Sequence, residues 1–166
     1  MGEQPERLRK RVYRLSSVYG RVRKKQRRTL IPTLIVNGLR QSQSQIYSRP
    51  NTLRDFVWLD DISQFIVDRM LEEVVHSNTN PLATYTLASG KPTSAMEAVQ
   101  EVERVLGRKL YVSFSPRPRN DEDITFASDV LPSDWYPCSI RTGIRQIFCE
   151  MLLHGESSNE LATSYF

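Results

Sequence analysis

The stretch Arg54-Asp55-Phe56-Val57-Trp58-Leu59-Asp60-Asp61-Ile62 decides how this chain folds. Asp55–Trp58 ends in the apolar and aromatic side chains that favour a short strand. Ile62, Phe65, Ile66, Met70 and Val74 then recur at helical spacing, and only Arg69 breaks their apolar stripe. Asp60 and Asp61 stand before that stripe, with Gln64 three residues past Asp61. This spacing predicts an N-cap with a capping-box partner and a helix over 61–75.

Strand-like and helix-like stretches alternate on both sides of this unit. Upstream, Val12–Leu15 reads as a short strand, 29–40 as a helix with Pro32 tolerated in its first turn, and Gln45–Tyr47 as another strand. Downstream, Thr84–Leu87 reads as a strand. Ser94-Ala95-Met96-Glu97 is a capping box opening a helix with Ala95, Val99, Val102 and Leu106 on one face, closed by Gly107. Leu110–Phe114 and Ile124–Ala127 are expected as strands. A last helix over 139–153 carries Ile140, Ile144, Ile147, Phe148 and Met151 on one side. The alternation predicts an α/β fold.

The chain has 166 residues, enough for one domain with a core. Its 39% hydrophobic and 25% charged residues are ordinary for a globular protein. No apolar run approaches a membrane span, and the charged N-terminus does not read as a secretory signal. Cys138 and Cys149 form neither a disulfide framework nor a zinc pattern, which suits a cytoplasmic setting. Neither His76 nor His154 has a carboxylate or cysteine motif around it, so both read as surface residues. The seven glycines are scattered, and no two make a G-x-G-x-x-G or a P-loop.

Charge is uneven. Residues 1–28 hold eleven Lys or Arg against two Glu; the remaining 138 hold twelve against seventeen acidic side chains. The overall +4 therefore belongs to the N-terminal segment. Arg21–Arg28 has three readings. It is a solvated loop, a source of positive potential near a bound diphosphate, or a nucleic-acid footprint. The last is unlike a nucleic-acid site because no aromatic residue is interleaved.

Five stretches, in order over about 11–153, resemble the C-terminal half of the extended short-chain dehydrogenase/reductases, the NAD-dependent epimerases and dehydratases of nucleotide sugars. Arg14-Leu15-Ser16-Ser17-Val18-Tyr19-Gly20 is similar to the family's R-x-S-N-V-Y-G, and Leu30-Ile31-Pro32 to its L-I-P. The opening stretch is close to R-D-F-V-Y-V-D-D-V, the most specific of the five. Tyr85-Thr86-Leu87-Ala88-Ser89-Gly90 resembles Y-N-L-G-S-G. Arg119 with Phe126, Asp129, Trp135 and Pro137, ahead of a helix with Gly143, resembles R-x-x-D…Y-x-A-D…W-x-P.

The resemblance implies a partial Rossmann-type sheet edge plus the small α/β substrate-binding lobe. Its expected parts are a basic segment with one strand at 1–28, the lobe at 29–154, and a disordered tail at 155–166. The family's Rossmann glycines and catalytic Tyr-x-x-x-Lys have no match. Four residues after Tyr13 and Tyr19 stand Ser17 and Arg23, and Met1-Gly2-Glu3-Gln4 is similar to the residues just past the family's lysine. No catalytic residue and no bound cofactor are therefore expected of this chain alone. NAD(P) is implied only if a partner supplies the Rossmann half.

The expected ligand is a nucleotide-diphosphate sugar. Arg54 would contact its phosphates, with surface pairing to Asp55 or Asp60 as the other reading. Arg119, or Arg117 beside it, would be a second phosphate contact, and Asp121 or Glu122 a ribose contact. Ser17 replaces the family's Asn near the diphosphate, Tyr19 is equally a core residue, and Leu30 and Ile31 would offer backbone or apolar walls. The leading expectation is the nucleotide-sugar-binding portion of a truncated or split enzyme, with a partner chain or homo-oligomer covering the open sheet edge. The alternatives are a non-catalytic interaction or regulatory module and, less favoured, a nucleic-acid binder.

Overall fold

The computed structural model describes residues 10–21, 29–75 and 82–153. His76, His154, most of the Arg21–Arg28 segment, the Val74 side chain, the N-terminal Met1–Gln4 and the 155–166 tail lie outside the described residues.

Among the described residues, twelve strands and α-helices alternate much as the patterning predicts. They are β1 (Lys10–Leu15), β2 (Ser17–Tyr19), α1 (Leu30–Arg40), β3 (Ser44–Ile46), β4 (Leu53–Arg54), β5 (Phe56–Trp58), α2 (Leu59–Val75), β6 (Leu82–Leu87), β7 (Thr93–Ser94), α3 (Ala95–Leu106), β8 (Val112–Phe114) and α4 (Ile140–Leu153). Strands pair two by two. β1–β6, β2–β5 and β3–β8 are parallel, and β4–β7 is antiparallel. The N-terminal segment thus contributes two strands rather than one. Ser16 separates them, its N–H donating to Leu87 O at 3.1 Å while that of Ser17 turns to Asp55 O at 3.0 Å.

β2 and β5 are apolar at nearly every position because they are walls between two cores. Tyr19, Phe56 and Trp58 face the larger core, packed with α1, α3 and α4. Val18 and Val57 face the other way, onto Ile62, Phe65, Leu87 and Trp135. Successive strand residues point to opposite sides, so only a strand apolar on both faces can divide two cores. In the second core Phe65 stands edge-on to both Tyr85 and Trp135, at 5.6 and 5.3 Å. Trp135 Nε1–H donates to Ala88 O at 2.6 Å, satisfying its buried donor.

Two local expectations need correction. α2 begins at Leu59, so Asp60 and Asp61 lie in its first turn rather than at an N-cap. Asp61 Oδ2 accepts the Cys138 N–H at 2.8 Å and ties the approach to α4, while Gln64 bonds Asp68 one turn on. Ile124–Ala127 is not a strand; only Ile124 bridges to Arg54. The α3 capping box forms as predicted. Ser94 Oγ accepts the Glu97 N–H at 3.1 Å and Glu97 Oε2 accepts the Ser94 N–H at 2.7 Å. Gly107 closes the helix at φ +66°, a conformation glycine adopts without strain.

Candidate functional site

A cleft of about 550 Å³ opens where the β2–β5 ladder, the start of α1, β3 and the 118–120 turn converge. Ser17, Leu30 and Arg54 line it together, although 37 positions separate the first from the last. Thr29, Thr33, Gln45, Tyr47 and Asn120 complete its polar wall, and Ile46 and Phe56 its apolar floor. Strand pairing makes the site: β2 sets Ser17 opposite Phe56, which brings the Arg54 end of β4 alongside.

Arg54 is held by backbone carbonyls. Nη1 donates to Leu53 O at 3.0 Å and to Glu122 O, and Nη2 to Asn120 O at 2.8 Å. It pairs with neither Asp55 nor Asp60. The Asp55 carboxylate is fully buried and accepts from Ser89 N–H at 2.6 Å, Gly90 N–H at 2.8 Å and Ser16 Oγ at 3.1 Å. It joins β1, β6 and β5 behind the cleft.

The remaining expected residues divide. Tyr19 and Ile31 belong to the core, 2% and 0% exposed. Tyr19 Oη donates to Ile140 O at 3.4 Å, and burial raises its pKa far above the usual phenol range. Arg117 stacks over the Tyr47 ring at 3.8 Å from the ring centre, and its N–H donates to Tyr47 O at 2.9 Å, so it stands at the rim. Arg119 sits exposed in the Pro118–Asn120 turn and does not line the cleft. Of the two acids, Glu122 contributes only its carbonyl. Asp121 instead accepts from Arg49 N–H at 3.0 Å and Thr52 Oγ at 2.9 Å and pairs with Arg49 Nε at 2.6 Å. The Arg49 N–H, chief among these donors, holds the Asp121 carboxyl below its usual range.

Sequence reasoning missed Tyr47, Gln45, Thr33 and Asn120 as lining residues. Their signal was weak, since each is a common polar or aromatic residue beside a predicted element. Among the described residues no group of three or more His, Cys, Asp or Glu is placed to hold a metal ion. No described helix is long and apolar enough to cross a membrane. A dinucleotide pyrophosphate needs a glycine turn that the backbone can bring close to it. Gly38 and Gly143 serve packing instead: a Cβ would meet Leu110 Cδ2 at 2.5 Å in the first and the Tyr19 ring at 2.8 Å in the second.

Neither a protein-family model nor a curated protein sequence matches this chain. Solved structures do. A dTDP-glucose 4,6-dehydratase from Bacillus anthracis in complex with NAD superposes with a TM-score of 0.67 at 19% identity, over 91% of this chain and 47% of that one. The epimerase Mth375 from Methanothermobacter thermautotrophicus gives 0.70 at 17%, over 93% and 46%. MoeE5 in complex with UDP-glucose and NAD gives 0.67 at 22%, over 86% and 48%. The chain therefore shares its fold with part of these dehydratase and epimerase structures. It spans about half the length of the solved structures it matches.

Proposed function

We propose that this chain is the nucleotide-sugar-binding portion of a sugar epimerase or dehydratase of the extended short-chain dehydrogenase/reductase type, acting in the cytoplasm with a separate Rossmann half. The observation that carries it is the cleft in which Ser17, Leu30 and Arg54 meet, with a guanidinium on its wall and Tyr47 at its side. A diphosphate would meet the Arg54 guanidinium on the cleft wall, Ser17 would add one hydroxyl donor, and hydroxyls and amides would read the rest. In such an enzyme NAD takes up the hydride, and a Tyr/Lys pair moves the proton; both would come from the partner. The chain's own residues bind and orient the substrate.

The exposed surface supports a partner or self-association. β1–β6 is a two-stranded parallel ladder, and parallel ladders occur in larger sheets covered on both faces. Leu15 of β1 and Val67, Met70 and Leu71 of α2 are 45–62% exposed.

Calorimetry with UDP-, dTDP-, GDP- and CDP-sugars tests the reading. Binding to one of them, weakened but still measurable in Arg54→Ala, is expected, as is no NAD binding by the purified chain. Stoichiometric NAD binding or oxidoreductase activity of the chain alone overturns the split-enzyme reading. No binding to any of the four favours the second reading, a non-catalytic module, which the commitment of Arg54 to three carbonyls independently suits.

A further inference from the structure

We infer that Asp121 is a positioning residue that acts on a bound diphosphate through Arg54, without touching the ligand. The inference rests on the cleft being the nucleotide-sugar site. Asp121 sits between Asn120 and Glu122, and the carbonyls of both neighbours hold the Arg54 guanidinium. The Asp121 carboxylate pins that same turn to the 49–52 loop. Oδ1 accepts from the Arg49 N–H and from Thr52 Oγ, and Oδ2 pairs with Arg49 Nε. Thr52 is itself 4% exposed, so one end of the clasp is anchored in the interior.

The donor count gives the clasp its consequence. A guanidinium has five N–H groups. Three are spent on Leu53, Asn120 and Glu122, which leaves two uncommitted on a side chain that lines the cleft. Two N–H groups suffice for one bidentate phosphate contact, provided the guanidinium keeps its orientation. The side chain is otherwise long and rotatable, so orientation has to come from the carbonyls, and two of the three, those of Asn120 and Glu122, flank Asp121. Fixing the donor before the ligand arrives reduces the ordering cost of binding. A carboxylate already engaged by Arg49 and Thr52 is also poorly placed to reach a ribose, so its work is on the protein side of the cleft.

The test is a double-mutant cycle on UDP affinity, measured by calorimetry on the full chain. Asp121→Ala is expected to weaken UDP roughly tenfold, the worth of one charge-assisted hydrogen bond. In an Arg54→Ala background the same change is expected to do nothing further. Asp121→Asn keeps the shared Oδ1 acceptor and should restore most of the affinity. Arg49→Ala, which removes only the ion pair, is a milder second probe if Asp121→Ala does not fold. Additive losses from Asp121→Ala and Arg54→Ala overturn the inference while leaving the site reading intact. Wild-type protein that fails to bind UDP or any nucleotide sugar overturns the site reading, and the inference with it.

Discussion

Removing the Asp55 side chain is expected to be among the most damaging single changes to this fold. The carboxylate is fully buried and contacts three donors from two separate parts of the chain. In Asp55→Ala, Ser16 Oγ loses little, because it also donates to Asp55 O at 2.9 Å. The amides of Ser89 and Gly90 have no such second partner and are left orphaned. Each orphaned donor costs about 1–3 kcal/mol when burial is complete. Both amides are only partly buried, which places the loss at about 2–4 kcal/mol, with the emptied volume adding to it. Asp55→Asn should cost less, about 1–3 kcal/mol, because one amide keeps an oxygen while the other faces an NH₂ donor. Urea unfolding followed by Trp fluorescence reads the difference. At a slope of about 1.5–2 kcal/mol/M, a 3 kcal/mol loss lowers the midpoint by roughly 1.5–2 M. If Asp55→Ala and Asp55→Asn both shift the midpoint by less than about 0.3 M, the junction is not held by this carboxylate.

Gly143→Ala should destabilise by about 1–3 kcal/mol, since the new methyl meets the buried Tyr19 ring at 2.8 Å; an unchanged melting temperature would show that α4 yields without cost. Glu97 has its pKa lowered by hydrogen bonds within the Ser94 capping box. A lowered folded pKa stabilises above the unfolded carboxylate pKa and loses that stability as pH falls through the folded value. The stability gap between wild type and Glu97→Gln should therefore be present at neutral pH and vanish in acid; a gap that persists there refutes the assignment. Burial, then Asp61, pushes the Cys138 thiol up to about 12, whereas Cys149 is exposed. A thiol reagent at pH 8 should modify Cys149 in the native protein and reach Cys138 only on unfolding, and fast labelling of Cys138 in the folded chain would contradict this.

The helices were legible in the sequence because their signals are local. Ser94, Glu97 and Gly107 set both ends of α3 through hydrogen bonds a few residues apart and one positive φ. The parallel ladders were legible only as isolated strands, since register depends on residues far apart, as with Ser17 against Phe56. Asp60 and Asp61 show the limit. Read locally they cap a helix, but the Cys138 amide, 77 residues beyond Asp61, takes that carboxylate in the folded chain. Ile124 was read as strand-forming from composition, yet its neighbourhood offers it a single bridge partner.

The candidate site divides the same way. The resemblance to the family, rather than residue type, pointed to Arg54 as a donor for phosphate and to Ser17 and Leu30 as further pocket residues. Nothing in the spacing of Arg54, Asn120 and Glu122 could show that one side chain is held by the carbonyls of a turn 66 and 68 positions away. Nor could it separate Asp121 from Glu122, which differ by one position and one methylene. Local pattern carries propensity, capping and which face is apolar, because those free energies are set within a turn or a strand. Which charged group is spent on the protein, and which is left for a ligand, is a property of long-range packing, where backbone carbonyls and carboxylates compete for the same donors.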